Sequence, residues 1–140
     1  MSVLTLGIDL GTSAIKALVM DDEGVIHASA SAAYPTVTPE LNQAEQSPAE
    51  WWNAVVKSCR KIAEQVGGER ISAVGLSGQL NGIVLMDAKG TVLCDALIWL
   101  DQRGAEAVAE LSEDDRQEIT QVTGNPISPI AVLPKLRWLN

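Results

Sequence analysis

The sequence predicts an α/β fold: a mixed sheet, antiparallel across its first three strands, with flanking helices. Two observations carry this. Three apolar segments separated by short polar turns fill residues 3–33, and an amphipathic helix with clear start and stop signals then separates them from a further apolar segment. Turns of about five residues or fewer cannot hold the crossover that parallel pairing needs, so the first three strands must run antiparallel. The helix that follows is long enough to serve as a crossover.

Each element has its own local reason. Residues 3–8 are β-branched and leucine-rich, Asp9 to Ser13 form a turn, and 14–20 are apolar again with Ile15, Ala17 and Val19 alternating. Asp21, Asp22, Glu23 and Gly24 turn the chain into a strand over 25–33. Residues 34–46 form a polar connection in which Pro35, Pro39 and Asn42 oppose regular structure. Ser47, Pro48 and Glu50 then spell a capping box with proline at the first helical position. Trp51, Val55, Cys59, Ile62 and Val66 share one helix face, and Gly67 and Gly68 end the helix. A strand is expected over 71–76, a hairpin pairing 83–86 with 91–94, and a short strand over 96–99. Helices are expected over 102–111 and 113–122, stopped by Thr123, Gly124, Asn125 and Pro126. The last eight residues open an amphipathic helix that ends without a cap signal, as though the chain were the truncated front portion of something longer.

Composition bounds the partners. A chain of 140 residues suits one ordinary domain with a single core, and 46% hydrophobic against 20% charged residues excludes a disordered polymer. Ten Lys and Arg against 18 Asp and Glu give a net charge of -8, the wrong sign for nucleic acid or an anionic membrane surface. No apolar run reaches the roughly 18 residues of a membrane span. The start lacks the basic residues of a secretory signal, so a cytoplasmic location is expected. Cys59 and Cys94 read as free, half-buried thiols on a helix and a strand. One histidine and no Cys-x-x-Cys pair offer no zinc site.

The strongest chemical motif runs from Gly7 through Ile8, Asp9, Leu10, Gly11 and Thr12 to Ser13, between two strands. Gly11 permits close backbone approach to a nucleotide phosphate, Thr12 and Ser13 supply amide and hydroxyl donors, and Asp9 can hold a magnesium ion through water. It is not a P-loop, because no Gly-Lys-Ser/Thr follows and the next element is a strand. On these residues alone, an ordinary β-turn remains an equal reading. Lys16 reads as an exposed strand lysine before it reads as a phosphate ligand. Trp51, Trp52 and Trp138 read as packing residues.

The remaining motifs decide the context. Ser77 to Gly82, Ile98 to Arg103, Gln43 to Pro48 running into Trp51 and Trp52, Thr123 to Pro126, and Pro134 to Leu139 stand in one order along nearly the whole chain. With the opening hairpin, this order resembles the FGGY family of carbohydrate kinases. The resemblance implies a ribonuclease-H-like domain of the actin and sugar-kinase superfamily. Residues 1–140 would be the first part of its amino-terminal domain, with the carboxy-terminal domain absent from this chain. It implies ATP and Mg2+ as cofactors and phosphorylation of a small sugar, with D-xylulose giving D-xylulose 5-phosphate as the expected reaction. Another pentose, polyol or sugar acid, or a non-catalytic nucleotide- or sugar-binding fragment, is the alternative.

By the same resemblance Asp9 is the catalytic, metal-associated aspartate, and Gly11, Thr12 and Ser13 hold phosphate. Gln79, Leu80, Asn81 and Trp99 contact sugar, while Asp101 and Arg103 orient sugar hydroxyls or each other. For Trp99 a core position closing a strand remains open, as does a local ion pair fixing a helix start for Asp101 and Arg103. The catalytic base is expected beyond residue 140, so the chain alone is expected to be inactive. Sugar and ATP are the expected partners, and the resemblance leaves a homodimer open.

Overall fold

The computed structural model describes residues 3–140; Met1 and Ser2, read above only for their lack of basic character, lie outside it. In chain order the elements are β1 (Leu4–Leu10), β2 (Ala14–Met20), β3 (Ile26–Ala33), β4 (Glu45–Gln46), α1 (Pro48–Val66), a 3-10 turn (Gly68–Arg70), β5 (Ile71–Gly78), β6 (Ala96–Leu97), α2 (Ala105–Ala109), α3 (Glu113–Thr123) and α4 (Val132–Leu139). They divide into two compact units rather than the single core that the length suggests. The first unit comprises the chain up to Thr36 with Ser47–Gln79, and the second comprises Val37–Gln46 with Leu80–Asn140.

In the first unit the sheet order is β3-β2-β1-β5. The β1/β2 and β2/β3 pairs are antiparallel and β1/β5 is parallel, so the sheet is mixed as expected. Alternation makes one face apolar: Leu4, Leu6 and Ile8 of β1, Ile15, Ala17 and Val19 of β2, and Ala28 of β3 are buried with Ala54, Ile62 and Val66 of α1. The expected helix stripe packs here, with Ala54 and Ser58 also buried along it. On β5, whose one sheet neighbour among the described residues is β1, Val74 and Leu76 are exposed.

Several local expectations are corrected. Ser47 occupies the cap position of α1 but its side chain makes no capping hydrogen bond, so the box does not form. Pro48 presets the first turn, and the Ser47 carbonyl accepts from the Trp51 amide at 3.2 Å. A capping box does form at α3, between Ser112 and Asp115. Trp52 lies 67% exposed and is not a packing residue, because it follows Trp51 by one step and so points off the buried stripe. Gly67, at φ 81, ends α1 and Gly124, at φ 70, ends α3, both where expected.

In the second unit β4 pairs antiparallel with β6. The expected hairpin closes as a turn only. The Asp87 carboxylate accepts from the Lys89 and Thr91 amides, and Met86 bridges Val92, but Ile83 is taken by Leu97, so no two-stranded ladder develops. Accordingly Cys94 lies exposed and outside any strand, while Cys59 is half-buried on α1; both are free. The helix expected over 102–111 shrinks to α2, because the Arg103 amide is held by the Asp101 side chain instead of joining a helical ladder. Among the described residues no helix is long and apolar enough to cross a membrane.

Candidate functional site

The turn between β1 and β2 is closed by the Gly11 amide, which donates to the Ala14 carbonyl at 3.2 Å. A Cβ on Gly11 would lie 3.1 Å from that carbonyl oxygen and 3.6 Å from Asp9 Oδ2, which is why glycine suits this corner. Strand register does the rest. Lys16 pairs with Asp9 and with Ser31, and Asp9 pairs with Ser77. Since Ile8 and Ala17 point into the core, this row of Ser31, Lys16, Asp9 and Ser77 lies on the face turned away from it. A concavity of about 840 Å³ opens over that face and is lined by these four residues with Gly7 and Gly75. Gly7 and Gly75 are themselves cross-strand partners, and a Cβ on either would meet nothing within 4 Å. The backbone of the sheet is therefore accessible beside an exposed carboxylate and an exposed ammonium.

Tyr34 fixes this turn from behind. Its hydroxyl donates to the Gly11 carbonyl, its amide donates to the Ser13 carbonyl at 3.3 Å, and its ring packs tilted against Trp51 with centroids 6.5 Å apart. Burial, and then the charge of Asp9, push its phenol above the ordinary value of 10.0, so the hydroxyl stays protonated and remains a donor. Sequence reasoning placed Tyr34 at the head of a polar connection and missed it; the available signal was the chain's one tyrosine following directly on a strand.

The segment expected to contact sugar starts at the same end of the sheet. Leu10 pairs with Gly78, and the Gln79 amide donates to the Leu10 carbonyl at 2.9 Å. Gln79 is half-buried, Thr12 and Gly11 likewise, and Ser13 is exposed.

The second unit holds the other expected site residues around a buried charge network. Leu80, Asn81 and Trp99 are exposed, and Asn81 is left-handed at φ 57. Asp101 has 0% exposure and accepts from the Ala44 amide at 2.8 Å, the Arg103 amide at 3.0 Å and Arg103 Nε at 2.8 Å. Arg103 also reaches Glu45 and lies 4.9 Å over the Trp138 ring, which accounts for that tryptophan although half of it faces solvent. Burial raises the Asp101 carboxyl, but the hydrogen bonds from Arg103 and the Ala44 amide outweigh it and hold the group below its ordinary 3.8. Burial lowers the Arg103 guanidinium, and its bonds to Asp101 and Glu45 more than restore it. Asp101 and Arg103 thus orient each other, and Asp101 has no exposed atom to offer a ligand.

Lys135, within the amphipathic helix expected over the last eight residues, also has 0% exposure, because its ammonium has partners to reach inside. Its Nζ donates to the carbonyls of Asn81 at 2.9 Å and Ile98 at 2.8 Å. One step before it, Pro134 packs so tightly on Gly104 that a Cβ there would lie 2.6 Å from Pro134 Cβ.

Residues 4–140 match the model of the FGGY family of carbohydrate kinases, N-terminal domain. The chain belongs to this family. A xylulose kinase of Klebsiella pneumoniae is 34% identical over 134 residues, covering 96% of this chain and 28% of that protein. A gluconokinase of Bacillus subtilis (strain 168) is 31% identical over 140 residues, covering 99% of this chain and 27% of that protein. Among solved structures, the ligand-bound xylulose kinase from Lactobacillus acidophilus superposes with a TM-score of 0.91 at 28% identity, over 97% of this chain and 28% of that one. The fold is accordingly the sugar-kinase type expected, and this FGGY chain spans little more than a quarter of the length of these relatives.

Proposed function

We propose that this chain is the first part of the amino-terminal domain of an ATP-dependent sugar kinase, and that the sugar is D-xylulose, phosphorylated at its terminal hydroxyl. The observation that carries the reading is the row of Asp9, Lys16 and Ser77 beside the Gly11 turn, over a glycine-opened sheet face. A nucleotide triphosphate needs close backbone approach, donors and cationic charge, and the residues present fit it: Gly11 leaves the corner open, Thr12 and Ser13 offer donors, and Lys16 offers the charge. Asp9 is the one carboxylate of that row, and Mg2+ suits such a site because it retains several waters and takes few protein ligands. When bound, ATP supplies the phosphoryl group and Mg2+ neutralises it.

The chain's own contribution is positioning. Gln79, Leu80, Asn81 and Trp99 offer amides and an apolar indole to a polyhydroxylated substrate, and the Asp101 and Arg103 pair holds the Trp99 segment in shape. The second reading, D-gluconate, is favoured by the gluconokinase relative. A coupled ADP-release assay on the full-length protein with D-xylulose, D-gluconate and glycerol separates them: kcat/KM highest for D-xylulose supports the reading, and a preference for gluconate replaces the sugar. In the same assay Asp9→Ala is expected to lose most of kcat with sugar KM retained, since a metal-associated carboxylate acts chiefly in the transition state. Unchanged turnover at saturating ATP and Mg2+ would leave the turn structural only.

A further inference from the structure

Lysine is almost never fully buried without a carboxylate partner. Lys135 is fully buried, and among the described residues its ammonium bonds only to two neutral carbonyls, of Asn81 and Ile98. These carbonyls are not interchangeable backbone. Asn81 holds a left-handed φ of 57, a turn conformation that asparagine tolerates, and so lies outside any regular ladder. Ile98 immediately precedes Trp99, at the point where β6 has ended and no regular ladder continues. Beside the Ile83–Leu97 bridge, this one nitrogen therefore adds a side-chain tie between two irregular segments, from a backbone that packs closely where Pro134 meets Gly104. Asp101 and Arg103 lie near enough to act on it electrostatically. Burial lowers its pKa most, Asp101 works against this, and Arg103 adds to the lowering.

Resting on the sugar-kinase reading, we propose that Lys135 is a positioning residue for sugar recognition: without touching the sugar, it holds the Leu80 to Asn81 segment and the Trp99 segment at the separation that the sugar requires. Asp9, Gly11 and Tyr34, proposed for the nucleotide end, belong to the other compact unit.

The experiment is steady-state kinetics on the full-length protein, with sugar and ATP varied separately. Lys135→Met, close in size but with no donor, is expected to raise sugar KM at least about tenfold while ATP KM stays within about twofold, because misplaced binding groups act on the substrate they hold. Lys135→Gln retains two N–H donors on a shorter arm and is expected to fall between Met and wild type. It decides alone if the Met variant does not fold. Sugar KM unchanged in a folded variant, or sugar and ATP KM rising together, would overturn the proposal and leave Lys135 a structural residue only. A wild-type protein that phosphorylates no sugar overturns the kinase reading and this inference with it, and that failure is recognised in the wild type rather than in the variants.

Discussion

Asp101→Ala removes the acceptor of three hydrogen bonds from a site with 0% exposure, two of them from Arg103. Removing one partner of a buried ion pair costs about 3–5 kcal/mol, because the remaining charge is left without its counterion. Arg103 keeps Glu45 and the Trp138 ring, so the expected cost is at the lower end, about 3 kcal/mol. With a urea slope of about 2 kcal/mol/M, the unfolding midpoint should fall by about 1.5 M, read by tryptophan fluorescence. Asp101→Asn retains shape and one acceptor oxygen and should cost roughly half as much. Glu110→Ala supplies the control: its ion pair with Arg137 at 2.9 Å is solvent-exposed and worth about 0–1 kcal/mol. Since the Asp101 pKa is lowered on folding, its stabilisation is fully present above the ordinary value of 3.8 and is lost as pH falls below it toward the folded pKa. The gap between wild type and Asp101→Ala should therefore close in that acid window. A shift for Asp101→Ala no larger than the Glu110→Ala control, or a gap independent of pH, would refute the buried-network reasoning.

Three further outcomes are expected. Gly104→Ala would bring a methyl to 2.6 Å from Pro134 Cβ at an ordinary φ of -71, so the penalty is purely steric, about 1–3 kcal/mol by thermal melting; wild-type stability would show that α2 and α4 do not meet as described. Ser58→Ala removes a buried hydroxyl of α1 that has no hydrogen-bond partner among the described residues, and should leave stability unchanged or raise it by up to about 1 kcal/mol, whereas a clear loss would reveal a partner for that hydroxyl. Tyr34→Phe deletes the hydroxyl that holds the Gly11 carbonyl and should raise ATP KM several-fold with sugar KM unchanged, which kinetics on the full-length protein would check.

The sequence by itself determined what short-range geometry decides. Alternation over 14–20 and the i, i+4 stripe of α1 state which side chains are buried, because the periods of strand and helix are properties of the backbone. Gly67 and Gly124 end helices for an equally local reason, their positive φ. Turn length alone dictated that β1, β2 and β3 run antiparallel, and the Asp9 to Ser13 motif was legible because its residues are contiguous. Tertiary structure decided whatever depends on partners distant in the chain. Asp101 meets the Ala44 amide across 57 residues and Lys135 meets Asn81 across 54, distances over which spacing carries no information. The capping signal at Ser47 went unused while the Asp115 box at Ser112 formed, so the motif alone does not decide where its side chain bonds. The hairpin lost its ladder because Leu97, outside it, takes the Ile83 backbone. A buried charge persists only where the fold brings donors and acceptors to it, so the lysine that ties the Asn81 and Ile98 segments looks in the sequence like any surface lysine.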